Sequence, residues 1–353
     1  MGPYPRRRED CTLSNQEEDL AGLKLLGEWF SLMPRPGENF GDWVVGKPLG
    51  RVDPRLSAAL FEVTPLEKYV GGMGTAKRVM KMLNPLYATP EGKERFFREI
   101  DTLKHRPIRN HPAIVDVEGT PAQPGNTRYT YVMPYLEGPT LGVFAEDGYS
   151  SLTASYLSGI PEKLARLMGR IDVDYLRAIL SIGAKLADVL AFLHELGVIH
   201  RDVKPNNVIV QPQGPVLIDF GSVSVSSEAV THLCNHLVPQ RSGTYGFMAP
   251  EAFAGALPAA SFDTFGLGAT LRLCLTGLNP YADRALLKLS SEDAWRELEK
   301  RNAEGRVLRM AQVPGIPRTL YTLLESATAA DPAARPAMTE FGDGLRLVLS
   351  SIR

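Results

Sequence analysis

Leu20, Leu23, Leu26 and Phe30 recur at helical spacing behind Ser14 and Glu17, which are placed as a capping box. The pattern predicts a helix over residues 15–31 that ends before Pro34 and Pro36. The period then shortens. DWVVGKPL, AALFEV and KRVMKML, between residues 42 and 83, read as short strands joined by turns. Residues 91–106 carry a charged face and read as a helix, and 113–117 and 128–133 as further strands. After Gly138 the texture changes to helices separated by short strands and long loops. DYLRAILSIGAKLADVLAFLHELG, residues 174–197, is the strongest helical signal. A β-rich first part followed by a helical second part predicts an α+β chain of two lobes, with a hinge at 134–138. Residues 1–13 are polar and Pro-rich and carry no pattern that would fold alone.

Composition narrows the function without naming it. The chain has 353 residues, 44% hydrophobic and 22% charged, as a globular protein does. Lys plus Arg is 39 and Asp plus Glu is 40, so no basic footprint for nucleic acid exists and function must come from a local site. Cys11, Cys234 and Cys274 lie far apart with no CxxC spacing, which predicts a reducing compartment. No apolar run approaches the roughly 18 residues that span a bilayer. MGPYPRRRED has no apolar stretch behind its arginines, so it does not read as a secretory signal. The expectation is a soluble, cytoplasmic protein.

Three stretches carry chemistry. HRDVKPNNVIV runs from 200 to 210, Asp219-Phe220-Gly221 follows the strand-like PVLI, and GTYGFMAPE runs from 243 to 251. In this order and spacing they resemble the eukaryotic-type protein kinase family, over roughly residues 42–350. The resemblance implies a bilobal protein-kinase fold: an extension over 1–39, a small lobe over 40–133, a hinge at 134–138 and a large lobe over 139–353. It implies ATP and Mg²⁺, and a protein substrate. Asp202 would be the base that orients the acceptor hydroxyl, and Lys204 would neutralise the transferring phosphate. Asn207 and Asp219 would supply the oxygen ligands that a hard magnesium ion requires. A short turn through QPQG would bring those two together. Glu251 with Arg335, and Asp263 with the catalytic-loop backbone, are assigned to structure, and His200 to the core.

The nucleotide side rests on one lysine. GGMGTAKRVMKML, from residue 71, looks like a phosphate loop. The family's lysine, however, sits in a strand, here Arg78-Val79-Met80-Lys81. A period of two puts Val79 and Lys81 on one face, the first to cover adenine and the second to reach the phosphates. Lys77 reads as a solvated strand-end lysine and the glycines as turn residues. Glu99 in FFREIDTL is the expected partner of Lys81, with Glu94 the alternative. YVMPYLEG places Met133 as gatekeeper, and Pro134 and Leu136 as backbone contacts to the base. Pro134 can offer its carbonyl although it lacks an N–H. Leu49 and Ile209 are the expected apolar contacts above and below.

The pattern departs from the family between residues 49 and 63, where G-x-G-x-x-G is expected and only Gly50 remains. Glycines there let backbone N–H groups approach phosphate. Asp53-Pro54 predicts a tight turn, and Arg55 could supply charge instead. This departure keeps a rival open: a pseudokinase that binds nucleotide or a partner without transfer. A small-molecule phosphotransferase fits less well, because Arg201, Lys204 and the segment ending in Glu251 are all present. Lys204 and Thr244 favour Ser/Thr over Tyr as acceptor. Asn206 stands where many kinases with basic substrates have Glu. Ser222, Ser224, Ser226, Ser227, Thr231 and Ser242 are candidate autophosphorylation sites, with Arg201 placed to read a phosphate. The helix at 15–31, with Trp29 and Phe30, is read as packing on the small lobe or as docking a partner. The stretch 145–172 is longer than the family needs.

Overall fold

A computed structural model of the chain describes residues 27, 29–50, 52–53, 56–66, 77–119, 128–148, 171–225, 243–283 and 285–352. These fall into two compact units. One ends at Leu136; the other starts at Glu137 and also takes in Pro112–Ile114.

The first unit is built on a five-stranded antiparallel sheet: β1 (Asn39–Phe40), β2 (Trp43–Pro48), β3 (Ala58–Pro65), β4 (Arg78–Leu83) and β5 (Thr130–Pro134), in that order. Alternation sends Ala59, Phe61 and Val63 of β3 to one face, with Met80 and Met82 of β4 and Val132 of β5. Trp29, Met33, Phe40 and Trp43 complete this apolar face. The other face carries Val79, Lys81, Tyr131 and Met133, through the register Val79↔Met133 and Lys81↔Tyr131. It receives α1 (Pro90–Lys104), whose Phe96 packs on Tyr131 with ring centroids 5.5 Å apart. Helix α1 starts where it does for three reasons. Pro90 fixes the first turn, Thr89 accepts the Gly92 N–H at 3.1 Å, and a Cβ at Gly92 would sit 1.8 Å from the Tyr87 carbonyl.

Two expectations are corrected in this unit. Residues 113–117 do not form a strand. Ile114 makes a single bridge to Leu217 within the second unit, while Glu118 and Gly119 bond to Val132 in the first. The chain changes units in mid-segment, so no continuous ladder can form. The residues predicted to share a helical face also divide differently. Phe30 is 65% exposed, whereas Trp29 and Met33 are buried against the sheet. The face that packs is therefore i, i+4 from Trp29. Leu20, Leu23 and Leu26 lie outside the described residues.

The second unit is mainly helical. α2 (Leu141–Gly148) is followed by α3 (Val173–Glu195), capped by the Asp172 side chain on the Tyr175 N–H. α4 (Pro250–Phe253), α5 (Ala260–Thr276), α6 (Ser291–Ala303), α7 (Arg318–Ala327) and α8 (Met338–Ser351) complete it. α5 is buried on every side from Phe262 to Thr276, Asp263 and Arg272 included, and is the core helix. α3 and α8 pack together and both pack against α5. Between α3 and α4 lie two small antiparallel pairs: β6 (Val198–Ile199) with β9 (Ser224–Val225), and β7 (Val208–Gln211) with β8 (Gly214–Leu217). A sheet-rich unit with one long helix and a mainly helical unit give the α+β composition expected from the sequence.

Candidate active site

In the first unit, β4 delivers Lys81 to α1. Its Nζ donates to Glu99 Oε1 and Oε2 at 2.7 and 2.9 Å. Tyr131, opposite Lys81 on β5, donates its hydroxyl to Glu99 Oε1 at 3.0 Å. Glu99 is 1% exposed, so its charge is stable only because both partners are in place. Glu94 pairs instead with Arg98, and Lys77 with Glu62 near the start of β4. Val79 and Met133 are paired and buried on the Lys81 face. Pro134 closes β5 and Leu136 ends the unit. GGMGTAK falls in the connection between β3 and β4, whose residues 71–76 lie outside the described set.

Leu49 and Gly50 follow β2. Gly50 is left-handed at φ 76°, a conformation that suits glycine. The Leu56 N–H donates to the Asp53 carbonyl at 3.0 Å, the turn that Asp53-Pro54 predicted. Arg55 lies outside the described residues.

In the second unit, α3 and β6 lead into the loop at 200–207. Arg201 is held left-handed at φ 68°, which costs a non-glycine residue about 1–2 kcal/mol. Asp263 on α5 offsets this. It is fully buried and accepts the His200 N–H at 2.8 Å, the Arg201 N–H at 2.7 Å and His194 Nε2 at 2.8 Å. Burial opposes its charge, yet the His194 contact and the Arg201 N–H hold its pKa below the ordinary carboxylate value. His200 is also fully buried, which pushes its pKa down against the opposing pull of Asp263, Asp202 and Asp219. Its Nδ1 accepts the Asp202 N–H at 3.3 Å, and its ring meets Phe220 edge-on at 5.1 Å.

Asp202 is thereby fixed beside Lys204 and Thr244. Lys204 Nζ donates to Asp202 Oδ2 at 2.7 Å and to Thr244 Oγ1 at 2.6 Å. The Thr244 hydroxyl donates to Asp202 Oδ1 at 3.0 Å. Asn207 ends a 3₁₀ turn, and its Nδ2 donates to the Asp202 carbonyl at 2.8 Å and to Oδ2 at 3.1 Å. The β7–β8 hairpin then returns the chain, and the Ile218 N–H donates to the Asn207 carbonyl at 3.0 Å. That bond sets Asp219 beside Asn207, as the QPQG turn predicted. Ile209 lies in β7, paired with Val216 and bridged to Thr140.

The donor set fits a magnesium ion. Asn207 has committed its nitrogen to Asp202, so the atom it has to offer is an oxygen, and Asp219 adds a carboxylate. Among the described residues no group of three or more His, Cys, Asp or Glu could hold a metal. Two oxygen ligands suit an ion that completes its shell with phosphate and water.

The structural assignments also find their partners. Arg335 makes a fork to Glu251 at 2.6 and 2.8 Å, donates to three backbone carbonyls, and lies over Phe265. Among the candidate phosphorylation sites, Ser224 is corrected. It is 6% exposed and paired with Ile199 in β9, where no kinase could reach its hydroxyl. Residues 226–242 lie outside the described set. Sequence reasoning missed Tyr131 and His194. Strand register could have found Tyr131, since it stands directly across from Lys81. His194 had no such signal, because its partner is 69 residues away.

A family model described as the protein kinase domain matches residues 73–343. A serine/threonine-protein kinase PknK of Mycobacterium tuberculosis is 32% identical over 267 residues, covering 72% of this chain and 20% of that protein. PkaB of Streptomyces coelicolor, also named a serine/threonine-protein kinase, is 30% identical over 187 residues, 49% of this chain and 40% of its own. PknD of Protochlamydia amoebophila, named likewise, is 26% identical over 267 residues, 72% and 25%. The chain thus spans well under half the length of these relatives. With most of its length matched by the family model, the chain belongs to the protein kinase family.

Proposed function

We propose that this chain is an ATP-dependent serine/threonine protein kinase. The observation that carries the reading is the triangle of Asp202, Lys204 and Thr244. A carboxylate that accepts a hydroxyl on one oxygen and an ammonium on the other is set to hold an acceptor O–H and take its proton as the oxygen attacks. Lys204, on the same carboxylate, is placed to meet the charge that moves onto the γ-phosphoryl oxygens. Lys81, held by Glu99, reaches the α- and β-phosphates. Val79, Met133 and Leu49 of the first unit are the candidate contacts to the base, with the Pro134 carbonyl and the Leu136 N–H along its edge. Asn207 and Asp219 would hold Mg²⁺, which when bound bridges phosphate oxygens and neutralises their charge.

Protein Ser/Thr hydroxyls are the acceptors in this reading, and the chain's own segment between Gly221 and Gly243 is one of them. Asn206 argues against a basic consensus. The compartment is the cytoplasm, supported by cysteines without disulfide spacing. Cys274 is a free thiol whose pKa burial pushes up to about 12. Among the described residues no helix is long and apolar enough to cross a membrane. The N-terminal helical residues serve the small unit itself, since Trp29 is buried there.

The test is transfer of radiolabel from ATP to protein, with phosphoamino-acid analysis. Asp202→Asn should cost about a hundred- to ten-thousand-fold with the fold retained. A wild-type protein that binds ATP and transfers nothing would return the pseudokinase reading. The presence of Lys81, Glu99, Asp202, Lys204, Asn207 and Asp219 argues against it.

A further inference from the structure

The backbone turn that carries Thr244 ends on Met248. The Phe247 and Met248 N–H groups both donate to the Thr244 carbonyl, at 3.0 and 3.2 Å. The Met248 carbonyl is then taken up from outside the turn by two side chains. Tyr281 donates its hydroxyl to it at 2.8 Å, and Asn302 on α6 donates Nδ2 at 3.0 Å. A carbonyl oxygen has two lone pairs, so these two donors saturate it.

Both donors are fully buried. The Tyr281 N–H donates to Asn279 Oδ1 at 2.9 Å, and its carbonyl accepts from Arg301 at 3.1 Å. Its ring packs on Phe265 of α5, with centroids 5.8 Å apart. Arg301, next to Asn302 on α6, also pairs with Asp283 at 3.1 Å. Burial pushes the Tyr281 pKa above its ordinary value, so the hydroxyl stays a donor through the neutral range. A buried hydroxyl costs free energy unless it is bonded, and packing alone would be served by a phenyl ring. The hydroxyl is spent on the turn. At the turn's other end, the Thr244 side chain meets Asp202 Oδ1 at 3.0 Å and Lys204 Nζ at 2.6 Å.

We propose that Tyr281 and Asn302 are positioning residues for phosphoryl transfer: they clamp the Met248 carbonyl and so hold the Thr244 hydroxyl against Asp202 and Lys204. The proposal rests on the kinase reading and extends it to two residues that touch no substrate.

The test is a double-mutant cycle on the rate of radiolabel transfer at saturating ATP. A tagged Asp202→Asn full chain serves as the common acceptor, at a temperature where every variant is folded. Tyr281→Phe keeps the ring and removes one donor. Its rate should fall about five- to tenfold, with the KM for ATP within about twofold of wild type. Asn302→Leu removes the other donor and should cost about fivefold; it stands in if Tyr281→Phe does not fold. Thr244→Val should itself be about tenfold slower, and in that background Tyr281→Phe should cost less than about twofold more. An equal loss in both backgrounds would mean that Tyr281 supports the fold without acting through Thr244, and overturns the proposal. Rates within twofold of wild type for both single variants overturn it too, as does a loss confined to the KM for ATP. If Thr244→Val is too slow to follow, amide hydrogen exchange replaces the cycle. Tyr281→Phe should then speed exchange at Phe247 and Met248 about tenfold while α5 is unchanged, and unchanged exchange at those two amides overturns the proposal. A wild-type chain that labels no protein removes the kinase reading itself, and this proposal with it.

Discussion

Two buried ion pairs, one in each unit, share a geometry and differ in their surroundings. Lys81–Glu99 and Arg335–Glu251 both place two nitrogen–oxygen contacts between 2.6 and 2.9 Å. The Arg335 side chain is fully enclosed, and its remaining donors go to the carbonyls of Ala329, Ser261 and Ala330. Lys81 keeps 12% of its side chain exposed and shares Glu99 with a tyrosine hydroxyl. An arginine fork locked by backbone carbonyls can do nothing but hold two segments together. A lysine is a point charge, and one that still reaches solvent can meet a ligand. Contact distance does not separate the two pairs; the closure around the cation does, since Arg335 is enclosed while Glu251 keeps 19% of its side chain exposed, and Lys81 is the open member of a pair whose Glu99 is closed.

Removing a partner from each pair tests that distinction. Arg335→Ala leaves Glu251 without its fork and three carbonyls without a donor. The second unit should lose about 3–5 kcal/mol, read as a lower denaturant midpoint. A loss below about 1 kcal/mol would make the pair a surface contact. Tyr131→Phe touches the other pair more gently. It removes one hydrogen bond to Glu99 and should cost about 1 kcal/mol of stability, with kcat/KM falling less than tenfold. A larger fall in kcat/KM would mean that the hydroxyl, and not Lys81 alone, sets the position of Glu99.

The smallest effect concerns pH. His200 accepts the Asp202 N–H on Nδ1, so the loop needs the neutral ring. Its folded pKa lies below the ordinary 6.5. Above that value neither state is protonated. Below it the unfolded chain takes up a proton that the folded chain refuses, so stability falls with acid. His200→Gln should flatten the decline in urea midpoint between pH 6.5 and 5. An equal slope in both proteins would place the titration at other groups.

The loop at 200–207 was legible through its resemblance to the protein kinase family, which implies roles for Asp202, Lys204 and Asn207, and the QPQG turn anticipated the hairpin that returns the chain toward Asn207. The partner of Lys81 followed from the resemblance of FFREIDTL to the family's pattern, and the structure pairs Lys81 with Glu99. The segment at 113–117 was misread because alternating apolar residues look alike whether they pair with one sheet or are divided between two units. Phe30 was misread because two adjacent aromatics fit an apolar face equally well, and only the packing of Trp29 and Met33 decides between them. Asn84 gave no signal at all. Its amide nitrogen donates to the Leu56 carbonyl, a group every residue has, 28 residues earlier in the chain.

Trp29 also bears on how this protein can be cut. The family model begins at residue 73, inside the connection between β3 and β4. A recombinant fragment trimmed to that boundary would keep Lys81 and every catalytic-loop residue. It would discard β1, β2 and β3, and with them Trp29, which belongs to the same buried apolar cluster as Met80 and Met82. The strand presenting Lys81 would become an edge with an uncovered apolar face, a template for aggregation. The smallest useful expression clone therefore starts upstream of Trp29, well before the part of the sequence that carries the recognisable motifs.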